Sequence, residues 1–296
     1  MNRIIIDKKL PIKVHSKTLE LPESKIPLRL VDLLILTQEC AIDLHSLSKI
    51  AKAGVPILVV TTKPKEFIFM QKCTIKNGEL KERQYRALEH RLAIAKDLLI
   101  QKLQKSQDFL TSRDRHFDAD TYIVQAQKAD SLQRLLGIEG IAAKSYFERY
   151  FSLFPRILTK RKRTRHPPLD PVNAMLSYIY TIFYYEIGSR LIMEGFEPAI
   201  GYLHTPFRDH MALASDILEL FRARIDRFVY ELFHDKVLLP KDFTKREGVY
   251  LTPKGRKKLW PDLKEFLQSQ DPDITREIAK LRATIRNVSS SDHRLD

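Results

Sequence analysis

The period of apolar and polar positions changes near residue 80. Before that point, short apolar runs recur at Ile4–Ile6, Leu28–Leu36, Val55–Val60 and Phe67–Phe69, separated by Pro11, Pro22, Pro27, Gly54, Pro64 and the Asn77-Gly78 pair. Short apolar runs bounded by turn formers predict strands, and Asn-Gly, which tolerates positive φ, predicts a hairpin reversal. Leu44, Leu47, Ile50 and Ala51 keep helical spacing, so one helix is predicted over Leu44–Ala53, stopped by Gly54 before a buried strand. From Glu82 onward the period is helical, with Tyr85, Leu88, Leu92, Ala95, Leu99 and Leu103 forming one stripe. Further helices are predicted over Asp120–Leu136, over Ile138 to about Phe151, from Asp170-Pro171, and over Ala212–Phe233. Asp170 suits an N-cap and Pro171 a first helical position. The polar end, Ser289 to Asp296, is expected to fray. The fold class is therefore α+β, a small β-rich N-terminal domain over residues 1–80 followed by a larger all-α C-terminal domain over residues 81–296.

Composition narrows the function. The chain has 296 residues, of which 30% are charged and 44% apolar, and its 51 Lys and Arg against 37 Asp and Glu give a formal charge of +14. That mixture is a globular protein with a surplus of cations for a polyanionic partner. No apolar run reaches the roughly 20 residues that a bilayer span needs, and Met1–Lys9 is charged where a signal peptide would be apolar. Cys40 and Cys73 make neither a disulfide framework nor a C-x-x-C pair, which fits a cytoplasmic setting.

Three segments carry candidate chemistry. In Gly137-Ile138-Glu139-Gly140 a carboxylate sits between two glycines at the expected head of a helix, as a projecting ligand or simply as an acid favoured by the helix dipole. In Gly195-Phe196-Glu197-Pro198-Ala199-Ile200-Gly201-Tyr202-Leu203-His204, repeated breakers put His204 on a constrained turn, where a structural role and a ligand role are both open. Asp216 and Glu219 lie one helical turn apart beside an apolar stripe, so they are expected to share a face and point into a groove, with a solvated acidic face as the alternative. Together these residues supply hard oxygen ligands and one imidazole, a set suited to Mn²⁺ or Mg²⁺. Between Arg149 and Leu169 there is no acid, whereas Arg149, Arg156, Lys160, Arg161, Lys162, Arg163 and Arg165 occur, a run that favours phosphate contacts over sequence reading. A second cluster spans Lys254–Lys258. A phosphate-binding Gly-rich loop and a G-x-S-x-G elbow are both missing, and Tyr178, Tyr180, Tyr184 and Tyr185 fit core packing better than a recombinase nucleophile.

These motifs resemble the catalytic subunit of CRISPR adaptation, the Cas-one endonuclease/integrase family. Asp170-Pro171-Val172-Asn173-Ala174-Met175-Leu176-Ser177-Tyr178 resembles its D-P-V-N-A-x-L helix, Gly201-Tyr202-Leu203-His204 its histidine motif, Asp216-Ile217-Leu218-Glu219-Leu220-Phe221-Arg222 its acidic helix, and Glu139-Gly140 its upstream glutamate motif. The resemblance implies metal ligands at Glu139, His204 and Glu219, with Asp216 as a neighbouring acid that supports the metal or the attacking group. It implies an N-terminally joined homodimer, a complex with a dimer of the small Cas-two protein, and double-stranded DNA as substrate, both protospacer and repeat. Arg161, Lys162, Arg163, Arg165 and Arg208 are the expected DNA contacts. The sequence departs from the family at Asp209-His210-Met211-Ala212-Leu213-Ala214-Ser215, where His210 stands for an arginine that Arg208 is placed to replace, and at Lys102-Leu103-Gln104-Lys105-Ser106, which lacks an Asn-Gln pair. The expected reaction is attack by a protospacer 3′-hydroxyl on a phosphodiester at a repeat border. The rival readings are a branched-DNA nuclease, a mobile-element integrase, and a DNA-binding scaffold with a vestigial metal site.

Overall fold

A computed structural model describes residues 3–6, 10–22, 24–36, 40–60, 67–72, 77–208 and 210–291. The chain divides into two compact units, Met1–Ile75 with Trp260–Pro272, and Lys76–Leu259 with Asp273–Asp296. The first is strand-rich and the second helical, the α+β organisation that the change of period predicts.

In the first unit, strands β1 (Arg3–Ile6), β5 (Leu33–Leu36), β6 (Ile57–Val60) and β7 (Phe67–Met70) form one sheet in the order β1-β5-β6-β7. The first three strands are parallel, with Leu34 opposite Ile57, and β7 runs antiparallel at the edge. A second, antiparallel sheet joins β2 (Lys13–His15), β3 (Thr18–Leu21) and β4 (Ser24–Pro27). Every residue of β5 is buried, which is why its sequence is a continuous apolar run rather than an alternation. The longer run Leu28–Leu36 is not one strand, because it opens as a 3-10 turn over Leu28–Leu30 before β5. Helix α1 (Leu44–Lys52) crosses from β5 to β6. Asp43 caps it by accepting from the Ser46 amide (2.8 Å) and hydroxyl (2.7 Å), and Gly54, at φ +74°, releases the chain into β6. Ile6, Val14, Leu19, Leu36, Ile50 and Ile57 share the core. Arg3, buried in β1, pairs with Asp271 at 2.6 Å. Cys40 is half-buried, and Cys73 lies outside the described residues.

The second unit begins differently from the expectation at Asn77-Gly78. Asn77 does take a left-handed conformation (φ +52°), but it leads into helix α2 (Gly78–Arg86), because Leu80 and Gln84 already have a buried face to fill. Helices α3 (Arg91–Thr111), α4 (Ala119–Gln127), α5 (Leu132–Ser152), α6 (Pro171–Met193), α7 (Ala212–Glu219) and α8 (Arg222–His234) follow. The hairpin β8 (Phe243–Lys245) and β9 (Val249–Leu251) adds two strands to this otherwise helical unit, and α9 (Pro253–Ser291) closes the chain. Pro261 and Pro272 lie inside α9. Helix α6 is buried on almost every side, and α7, α8 and β9 pack against it.

Two helix boundaries bear on chemistry. The helix predicted over Asp120–Leu136 is interrupted after α4, and its end, from Leu132, runs on with the segment predicted from Ile138 as one helix, α5, capped by Ser131, so Glu139 projects from its third turn and not from its head. Gly137 and Gly140 look like breakers, each costing about 1 kcal/mol relative to Ala. Buried Leu135, Ile138, Ala142 and Tyr146 carry the helix through them. The single helix expected over Ala212–Phe233 instead breaks at Leu220-Phe221, which leaves Glu219 at the end of α7 and Arg222 at the start of α8.

Candidate active site

The loop that joins α6 to α7 carries His204, and its shape is fixed by three side chains. Buried Gln84 of α2 donates to the carbonyls of Glu197 and Ile200, both at 2.9 Å, and accepts from the Glu197 amide at 2.9 Å. Arg91 of α3 donates to the carbonyls of Tyr202 (2.7 Å) and His204 (3.0 Å). Asp216 of α7, fully buried, accepts from the amides of Tyr202, Leu203 (3.1 Å) and His204 (2.8 Å). Gly201 is required here, since a Cβ would meet the Ala212 backbone and the His204 carbonyl oxygen at 2.8 Å.

Asp216 has one more partner, the His204 ring, whose Nδ1 lies 2.8 Å from Oδ1. A carboxylate can only accept, so Nδ1 carries the proton, and it is Nε2 that faces Glu219. Glu219 therefore does not share a groove with Asp216. Asp216 faces the loop, whereas Glu219 lines a cavity of about 150 Å³ together with Lys102, Glu139, Arg165, His204 and Arg222. His204 Nε2 is 3.8 Å from Glu219 Oε1. The Lys102 ammonium stands between two carboxylates, 2.5 Å from Glu139 Oε1 and 2.7 Å from Glu219 Oε2. Arg222 Nε donates to Glu219 Oε1 at 2.7 Å, so each oxygen of Glu219 faces one cation. Burial opposes the charge of Glu219, but Arg222 and Lys102 outweigh it and hold the carboxyl well below its usual range. Among the described residues, no three His, Cys, Asp or Glu side chains already stand in a ligating arrangement.

A buried polar floor lies behind the cavity. Asp226 of α8 accepts from the hydroxyls of Tyr146 (2.7 Å) and Tyr180, and its carbonyl accepts from Tyr150 at 3.0 Å. Burial raises the Asp226 carboxyl to about 6 against these hydrogen bonds. Arg222 stacks over Tyr180 at 4.7 Å, so the guanidinium that binds Glu219 is itself held from behind.

The profile of the family described as CRISPR associated protein Cas1 matches residues 6–265 of the chain. This chain belongs to the Cas1 family. It is 34% identical over 294 residues to the CRISPR-associated endonuclease Cas1 1 of Thermodesulfovibrio yellowstonii, covering 91% of this chain and 92% of that one. Its fold is similar to that of a CAS1 protein from Thermotoga maritima (TM-score 0.88, 24% identity, 96% and 97% of the two chains). It is also similar to a casposase bound to integration product (TM-score 0.84, 22% identity, 98% and 91%). A chain of a Cas6-RT-Cas1–Cas2 complex matches with a TM-score of 0.84 and 21% identity, over 98% of this chain and 35% of that one.

The Cas1 motif that begins at Asp170 has a visible task. Asp170 caps α6 by accepting from the Asn173 amide (2.8 Å) and accepts from the Lys160 amide at 3.0 Å. Asn173 accepts from the Thr164 amide (3.0 Å) and donates to the Lys162 carbonyl (2.8 Å), so both residues shape the basic loop. Lys160, Arg161, Lys162 and Arg165 are exposed, and Arg165 reaches the cavity. Arg163 departs from the expected phosphate contacts. Its guanidinium turns inward, donating to Asn173 Oδ1 (3.0 Å) and Ser177 (3.2 Å), and burial lowers it to about 10. Arg149 is likewise engaged with Ser145, and Lys258 of the second cluster with Asp242 at 2.8 Å. Arg208 is exposed, in a left-handed conformation (φ +48°), and stacks on exposed Phe207 at 5.0 Å. His210 bonds Ser215 (2.7 Å) and stacks on Tyr184, with burial lowering its pKa. The sequence reading missed Gln84, Arg91, Lys102 and Asp226. For Asp226 a signal existed, an acid on the buried stripe of α8 between Ala223 and Val229.

Proposed function

We propose that the chain carries out metal-dependent DNA strand transfer in spacer acquisition, in which a protospacer 3′-hydroxyl attacks a phosphodiester at the border of a CRISPR repeat. The observation that carries this reading is the cavity in which Glu139, His204 and Glu219 meet around the Lys102 ammonium. A compact cation held between two carboxylates fits a site built for a hard cation. A divalent ion, Mn²⁺ or Mg²⁺, held by Glu139, His204 and Glu219 would polarise the scissile phosphate and lower the pKa of the attacking hydroxyl. Asp216 keeps the His204 proton on Nδ1 and so presents Nε2 to the cavity. Arg165 at the cavity, with Arg161, Lys162 and Arg208, would hold DNA by its phosphates. The first unit would join two copies as a homodimer, and a Cas2 dimer would be the partner, in line with the naming of one structural relative as a Cas1–Cas2 complex. The reaction belongs in the cytoplasm. The likeness to a casposase favours one second reading, a mobile-element integrase that uses the same chemistry.

The test incubates the purified protein and its Cas2 partner with a labelled 3′-hydroxyl duplex, a plasmid carrying a repeat array, and Mn²⁺. Label joined at the repeat border, and lost with EDTA or with His204→Ala, is the expected result. Joining without preference for the array moves the reading to a mobile-element integrase. Nicking without joining makes it a nuclease, and tight binding without chemistry makes it a scaffold.

A further inference from the structure

We infer that Lys102 is the built-in counter-cation of the site, the group that an incoming divalent ion displaces, and that it positions Glu139 and Glu219 while no ion is bound. The inference rests on the metal-centre reading above and goes beyond it. Lys102 projects from α3, where Leu99 and Leu103 on either side are buried, so the root of its stem is fixed in the core. Its side chain is 12% exposed, and its ammonium touches one oxygen of each carboxylate. Those carboxylates come from different helices, α5 and α7, and without a cation between them they would repel at close range. Arg222 does not replace Lys102, because it binds the other oxygen of Glu219.

Charge counting sets the direction. Glu139 and Glu219 balance Lys102 and Arg222, and Arg165, which also lines the cavity, leaves the metal-free site with a surplus of positive charge. A divalent ion entering the same space adds to that surplus, which is relieved when Lys102, the cation that stands between the two carboxylates, withdraws. Lys is suited to this role, being a compact charge on a four-carbon stem, whereas the Arg222 guanidinium is held by Glu219 and by Tyr180 beneath it. Lys102 thus keeps the empty site assembled at the cost of weaker metal binding.

The experiment titrates Mn²⁺ alone into the full-length wild type, Lys102→Met, Lys102→Arg and His204→Ala, by calorimetry or by the EPR signal of unbound Mn²⁺, and records melting of each metal-free protein. Lys102→Met is expected to bind Mn²⁺ about tenfold more tightly than wild type. Its metal-free form is expected to melt about 5 °C lower and to recover with Mn²⁺. Lys102→Arg keeps the charge and is expected to keep the wild-type melting temperature. Binding by Lys102→Met that is no tighter than wild type, while His204→Ala loses Mn²⁺, overturns this inference and leaves the metal centre standing. Binding that His204→Ala retains unchanged, or that wild type lacks, overturns the metal-centre reading and this inference with it.

Discussion

Asp216 and Glu219 stand one turn apart on the same short helix, yet the regions around them are built in opposite ways. Around Asp216 every hydrogen-bonding need is met within the protein, by three loop amides and one imidazole. Around Glu219 the protein supplies two cations, Arg222 at one oxygen and Lys102 at the other. The first region is a clamp and the second a socket. A carboxylate bound by backbone amides and a fixed imidazole shapes its surroundings, whereas one paired with an ammonium on a long stem beside a cavity is available to something that enters.

The largest effects should come from crossing those two roles. Glu219→Gln is expected to lower integration at least about 10³-fold in a plasmid-joining assay while leaving chemical denaturation within about 1 kcal/mol of wild type. Asp216→Ala should abolish joining as well, but through the fold, with a stability loss of about 3 kcal/mol or more from three stranded amides. Equal denaturation midpoints for the two variants would break the comparison. Arg91→Met and Gln84→Leu loosen the clamp from outside and should reduce joining by roughly 10–100-fold, the range for residues that orient a metal ligand. Arg91→Met should in addition weaken Mn²⁺ binding, measured by titration.

The buried acid of α8 gives an intermediate effect with a defined sign. The folded Asp226 carboxyl sits at about 6, above its ordinary 3.8, so the folded state holds a proton that the unfolded state has released. Stability from this group is present below pH 4 and is lost as pH rises through 6, by up to about 3 kcal/mol. Glu219 works in the opposite sense, its lowered carboxyl contributing stability above pH 4.5 that disappears on acidification. Asp226→Asn should therefore flatten the fall in melting temperature between pH 4 and 7, and a wild type without that fall would contradict the assignment. The smallest effects belong to the basic loop. Arg165→Ala should reduce the salt dependence of duplex binding by about one ion without altering stability. Arg163→Met should do the reverse and lower the melting temperature.

Much of this architecture was legible in the residues. The switch from short apolar runs to helical stripes separates the strand-rich region from the helical one, and Asp170-Pro171 opens α6 as its capping chemistry requires. The motifs that carry Glu139, His204, Asp216 and Glu219 were visible too. Helix continuity was less so, because Gly137 and Gly140 read locally as breakers and tertiary burial overrides them. Asn77 read as a hairpin for the same reason: its left-handed conformation is real, but the burial that follows is helical. What spacing could not reveal is direction. The i, i+3 relation puts Asp216 and Glu219 on one side of α7 without saying that one faces a loop and the other a cavity. Arg163 and Arg161 sit two residues apart in one basic run, and only the position of Asn173 decides which of them turns inward.

The most direct measurement is an anomalous difference map from crystals of the protein grown with Mn²⁺. A single peak inside the cavity, bonded to Glu139, Glu219 and His204 Nε2, with Asp216 still bound to the loop amides and outside the coordination sphere, is the predicted result. A peak that Asp216 ligates, or one placed away from Glu219, would contradict the account.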